Sequence, residues 1–319
     1  MRKKHIALIS GAIVIFFLAG YIGLYHIAPY AVMKPPRYRI SEHPNSFPHG
    51  ATPQSHGLRS HPFQITVQDT IKLRGWLLEA ASKPTKGTVV LLHGIGSCKE
   101  HMLDTGEWLS REGFNVILYD SRAHGESGGI YCTYGYYEAK DLSVVLDTLT
   151  HQYPHLSPFA VYGNSFGGAV ALQSLAIDSR LSCGIIESSF ATLEEVAYDY
   201  MKRLTGIPFH WVSHLVLQRA GEIAGFQPER VNPAAAARHI TQPVLIIHGT
   251  EDDHVSIRYG RRIYQQLSSR KKVWYPVPGG THYNLWKVGG EAYSKQILNF
   301  LNDCLSDAAP DDAGVSKTG

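Results

Sequence analysis

Between residues 61 and 305, unbroken apolar runs alternate with stretches of helical period, and this alternation limits the fold most. The runs are "GTVVLLHG" (87–94), "NVILYD" (115–120), "FAVYG" (159–163), "CGIIESS" (183–189), "QPVLIIHGT" (242–250) and "KKVWYPVP" (271–278). A strand that is apolar at every position is covered on both faces. Between the runs lie amphipathic stretches such as "YYEAKDLSVVLDTLTHQY" (136–153) and "SIRYGRRIYQQL" (256–267). Strands in alternation with helices predict a mostly parallel sheet between two helical layers. Ahead of them, "FQITVQDTIKLRGWLLEA" (63–80) alternates with period two and reads as an antiparallel hairpin. With that pair the sheet has eight strands.

One stretch breaks the rhythm. Residues 190–240 are helical in period and rich in aromatics, with no strand. They are expected to form a helical cap over one end of the sheet, within a domain spanning 61–305. Residues 31–60 are rich in Pro, His and Ser and read as a linker. Residues 306–319 are small and polar and read as a disordered tail.

The first 30 residues are expected to be a transmembrane anchor. No Asp, Glu, Lys or Arg occurs from His5 to Met33. As a helix, Ile6 to Ala28 would rise about 34 Å, enough to cross a bilayer core. The alternative, a signal peptide, has a shorter apolar core and a small-residue cleavage site, whereas Pro29 follows Ala28 here. Arg2, Lys3 and Lys4 suggest a cytoplasmic amino terminus, with the domain outside, in a periplasm, at a cell exterior or in a lumen.

Composition removes other classes. A net charge of +3 with 18% charged residues gives no footprint for nucleic acid. Four separated cysteines without a CxxC pair, and histidines without metal spacing, indicate no metal and no cofactor.

In open α/β sheets, reactive groups gather at the carboxyl ends of the strands. The ends here carry His93, Asp120, Ser165, Glu187, Asp252 and His282. Ser165 stands in "GNSFG", where a strand turns into a helix, with Gly163 and Gly167 two residues to either side. A serine raised on so sharp an elbow needs neighbours without side chains, and the helix that follows favours negative charge. Its base would be a histidine held by a carboxylate. His282 lies in a Gly-rich loop after the last strand; His254 and His93 are rivals. The carboxylate would come from Glu251, Asp252 or Asp253. The amides of Phe166 and Ile95 are the expected oxyanion donors.

In these features, residues 61–305 resemble the α/β-hydrolase superfamily. The resemblance rests on His93-Gly94-Ile95, Gly163–Gly168, Gly249–Asp252 and Gly280-Thr281-His282. It implies the α/β-hydrolase fold. Its late acid motif, laid on "GTEDDHVS", selects Asp252, with Ser256 in place of a proline. The stretch 119–142 is similar to the "D-x-R-G-H-G-x-S-x-G" segment of the branch that holds serine aminopeptidases, monoacylglycerol lipases and membrane-associated bacterial hydrolases. The resemblance gives Asp120, Arg122, His124 and Ser127 a structural role, and Ala123 replaces the usual glycine.

The function expected is a membrane-anchored serine hydrolase of carboxylic esters, with acylglycerols and other lipid esters among its substrates. A peptidase or amidase with the same triad, and a non-catalytic binding protein, are the alternatives.

Overall fold

The computed structural model describes residues 2–38, 40–43, 46–68 and 70–306. Residues 307–319, nearly all of the expected tail, lie outside them.

The strands are β1 (Ser60–Val67), β2 (Ile71–Leu78), β3 (Thr88–Leu92), β4 (Asn115–Tyr119), β5 (Phe159–Asn164), β6 (Leu181–Glu187), β7 (Val244–Gly249) and β8 (Lys272–Val277). They form one eight-stranded sheet in the order β1-β2-β4-β3-β5-β6-β7-β8. Strand β2 pairs antiparallel with β1 and with β4; every other pairing is parallel. The eight-stranded, mostly parallel sheet expected from the sequence is the one observed.

The apolar runs supply both faces because successive side chains on a strand point opposite ways. Val90, Leu92, Val161, Ile186 and Ile246 pack on one side, with helices Glu138–Gln152, Phe166–Leu175 and Ile257–Gln266. Val89, Leu91, Tyr162, Ile185 and Leu245 pack on the other, against helices Leu103–Arg111 and Leu285–Ser306. The last of these contains a non-helical residue, Gly290, at φ 53°.

Between β6 and β7 the chain makes helices Leu193–Thr205, His210–Ala224 and Pro233–Ala237. Thr192 caps the first by accepting from the Glu195 amide, and Gly206 and Gly225 end the first two in left-handed conformation.

The amino-terminal helix, Arg2–Ile22, passes through a π-helical turn, Gly23–Ile27, into helix Ala28–Met33. The irregular turn precedes Pro29, which has no amide to give the helical ladder. Among the described residues, one apolar stretch, Leu8–Met33, is long and apolar enough to cross a membrane. Within residues 31–60, Met33 is fully buried and His56 hydrogen-bonds Glu107 at 2.6 Å. Arg37 donates to the carbonyls of His124, Gly125, Ser127 and Gly129.

Candidate active site

Ser165 sits between β5 and helix Phe166–Leu175 with φ 53° and ψ −114°. A non-glycine residue there is strained by about 1–3 kcal/mol and persists only where the surroundings hold it. A Cβ on Gly163 would lie 2.1 Å from the Gly167 carbonyl oxygen, and one on Gly167 would lie 2.1 Å from the Leu92 carbonyl oxygen. Both glycines of "GNSFG" are therefore fixed by backbone packing. The Ser165 amide donates to the Glu187 carbonyl at 2.8 Å, which ties the elbow to β6.

The Ser165 Oγ is 3.0 Å from His282 Nε2, and His282 Nδ1 is 2.7 Å from Asp252 Oδ2. The other Asp252 oxygen accepts from the amides of His254 and Val255. Burial works to raise the Asp252 carboxyl, but the hydrogen bond and charge of His282, with the Val255 amide, outweigh it and hold the group below its ordinary value. Asp252 is thus an anion, and it orients the imidazole so that Nε2 faces the hydroxyl. The rivals sit elsewhere. His254 stacks on the His282 ring at 5.5 Å and pairs through Nδ1 with Asp253, whose side chain is 80% exposed.

His93 is fully buried and accepts from the Ser121 amide at Nε2, so its Nδ1–H donates to the Gly94 carbonyl at 2.8 Å. Burial pushes its pKa down, in keeping with a neutral ring. Its place is to fix the loop that carries Ile95. Phe166 is buried at the first position of its helix, while Ile95 borders the cavity beside Ser165. Among the described residues, neither amide has a protein acceptor.

The 119–142 stretch forms a brace. Asp120 accepts from the Lys99 amide, the Lys99 ammonium and the Glu126 amide. Arg122 makes a two-point pair with Asp141 at 2.7 and 2.6 Å. Ser127 Oγ donates to the Asp120 carbonyl and accepts from the Arg74 amide. Burial pushes His124 down to about 3, leaving a neutral ring stacked on Phe166. Ala123, where the similar segment carries glycine, has φ 62°. Ala123→Gly is expected to stabilise the protein by up to about 1 kcal/mol, since Cβ strain in that region exceeds the entropy cost of glycine. Chemical unfolding of the two proteins checks this.

From sequence alone Asn164 has no evident role, and Glu187 is one strand-end acid among several. In the sheet the two stand side by side in register. The Asn164 amide donates to Glu187 Oε1 at 3.1 Å, and the hydroxyls of Tyr162 and Tyr293 donate to Oε2. Burial first, and then the Glu187 charge, push both phenols well above their ordinary value. Glu187 is therefore an occupied acceptor, and it holds the floor of the cleft.

Two cavities meet at Ser165. One, of about 780 Å³, is mixed in character and is lined by Ser97, His101, Asn164, His282, Tyr283 and Trp286. The other, of about 340 Å³, is lined almost wholly by apolar side chains. Both fall in the size range of small-molecule sites.

Comparison with known proteins adds the following. The family described as serine aminopeptidase, S33, matches residues 83–225, a span that contains Ser165 but neither Asp252 nor His282. The uncharacterized protein YqkD of Bacillus subtilis (strain 168) is 29% identical over 230 residues, covering 70% of this chain and 73% of that one. The alpha/beta hydrolase domain-containing protein WAV2 of Arabidopsis thaliana is 24% identical over 271 residues, covering 82% and 85%. The solved Pyrococcus furiosus esterase Pf2001 superposes with a TM-score of 0.69 at 27% identity, covering 86% of this chain and 98% of that one.

Proposed function

We propose that this chain, which belongs to the α/β-hydrolase superfamily, is a membrane-anchored serine hydrolase of carboxylic esters. The observation that carries the proposal is the unbroken sequence of contacts from Ser165 Oγ through His282 to Asp252. A hydroxyl alone is a poor nucleophile at neutral pH. As Ser165 Oγ bonds to the ester carbonyl carbon, His282 Nε2 takes its proton, and the imidazolium is stabilised by Asp252. The carbonyl oxygen becomes an anion that the amides of Ile95 and Phe166 can receive. Collapse breaks the bond to the alcohol oxygen, which leaves with the proton from His282. Water then repeats the sequence on the acyl-enzyme, and the acid is released.

A peptidase would use the same groups. Against an aminopeptidase, three of the roughly four acceptor positions of the buried Glu187 are already taken by Asn164, Tyr162 and Tyr293, which leaves this acid little capacity for a substrate amine. The apolar cavity beside Ser165 suits an acyl group. Matched p-nitrophenyl esters and anilides test the reading. Esters are expected to turn over while the matched anilides and peptides do not, and clear turnover of an anilide or peptide would contradict it.

For the membrane, we take the apolar stretch Leu8–Met33 as the anchor. The short basic amino terminus would stay cytoplasmic, with the domain outside. A reporter active only in the cytoplasm, fused after Gly319, should then be silent; an active reporter would reverse the orientation.

A further inference from the structure

The apolar cavity beside Ser165 is not built by the cap alone. Val196, Met201 and Val216 of the cap helices line it together with Leu24, Ala28 and Val32. The latter belong to the apolar segment Leu8–Met33, whose two ends behave differently. Upstream, Leu8 and Phe16 are exposed at 73% and 75%, as suits a lipid-facing helix. Downstream the chain is fastened to the domain. Tyr134 Oη donates to the Val32 carbonyl at 2.7 Å, and the Cys132 amide donates to the Met33 carbonyl at 2.8 Å. The Arg219 guanidinium of the second cap helix lies 4.5 Å over the Tyr25 ring. A passive tether needs none of these contacts.

The surroundings are apolar on the outside as well. Leu204 lines the cavity yet is 77% exposed, so it stands at the mouth. Phe209 and Trp211, at the start of the helix that packs on Gly23–Met33, are also exposed. Large apolar side chains clustered at a surface mark a contact with lipid or partner. Trp and Phe beside a membrane helix suit the bilayer interface. Leu24 follows the exposed helix by two residues, a rise of only about 3 Å, so the cavity lies close to where that helix would leave the bilayer.

We propose that the end of the membrane anchor, Leu24–Val32, is a wall of the acyl site, and that this site takes the long acyl chain of a membrane amphiphile. The inference rests on the ester-hydrolase reading above. The chain enters from the bilayer between anchor and cap, the ester carbonyl stops at Ser165, and the alcohol portion lies in the mixed cleft beside Ser97 and His101.

The test uses the full chain in lipid nanodiscs and p-nitrophenyl esters from acetyl to hexadecanoyl. Leu24→Trp and Ala28→Trp each fill part of the cavity. A buried methylene is worth roughly fourfold in binding. Loss of room for two or more should therefore lower the dodecanoyl-to-acetyl ratio of kcat/KM at least about tenfold in each variant. Thermal unfolding shows that each variant is folded. An unchanged ratio in a folded variant overturns the proposal. A second readout does not need turnover. In Ser165→Ala protein, a diazirine-bearing hexadecanoyl glycerol should crosslink to residues 193–217, and Leu24→Trp should abolish the crosslink. No crosslink, or one indifferent to Leu24→Trp, overturns the wall. Failure of the wild-type protein to hydrolyse any ester, with the crosslink intact, would instead remove the hydrolase reading.

Discussion

Replacing His282 with alanine is expected to lower kcat/KM toward an ester by about 10⁴- to 10⁶-fold while the protein stays folded. Among the described residues, the imidazole is the only group in contact with both Ser165 Oγ and the Asp252 carboxylate. His254, whose ring stacks on that of His282, is turned toward Asp253 and hydrogen-bonds Asp252 through its backbone amide, while the buried His248 Nε2 is engaged by the Val255 carbonyl. His254→Ala should therefore change kcat/KM by no more than several-fold. The fold should survive His282→Ala because Asp252 keeps the amides of His254 and Val255, so the loss of stability should not exceed about 3 kcal/mol. Steady-state kinetics with near-ultraviolet circular dichroism separate the two effects. Activity within about tenfold of wild type in folded His282→Ala protein would remove the histidine from the role assigned to it.

The largest loss of stability is expected from one methyl group at the elbow. Gly167→Ala would place a Cβ 2.1 Å from the carbonyl oxygen of Leu92 and 2.8 Å from that of His93. These are backbone atoms at the end of a central strand, and no flexible side chain can yield. The cost should exceed about 5 kcal/mol, comparable to the whole stability of many domains. Gly206 gives the contrast. Its φ is 72°, but nothing lies within 4 Å of the point a Cβ would occupy, so Gly206→Ala should cost only about 1 kcal/mol. Soluble yield and chemical unfolding of the two variants provide the comparison. A Gly167→Ala protein of wild-type stability would mean that the elbow does not pack as described.

The sheet was legible because its strands are buried on both faces, and such runs as Val89–Leu92 and Leu245–Ile247 have few other uses. Ser165, Asp252 and His282 were legible as candidates because strand ends and Gly-rich turns mark themselves in sequence. The bracing of Glu187 was not. It depends on the register that sets Asn164 beside Glu187 and on Tyr293, which comes from a helix over a hundred residues away. The amino-terminal segment was half legible. An apolar run announces burial, but hydropathy does not separate Phe16, which faces outward, from Leu24, which lines a cavity in the domain. Similarly, the polar, Pro-rich composition of residues 31–60 gives no sign that Arg37 reaches four carbonyls of the 124–129 loop.

The central claim is that Ser165 is a nucleophile activated by His282. It is tested most directly by treating the full-length protein with a fluorophosphonate and mapping the adduct by mass spectrometry. The account predicts one adduct, on Ser165, absent from Ser165→Ala and strongly slowed in His282→Ala. A folded wild-type protein that takes no label, or takes it at another residue, would contradict it.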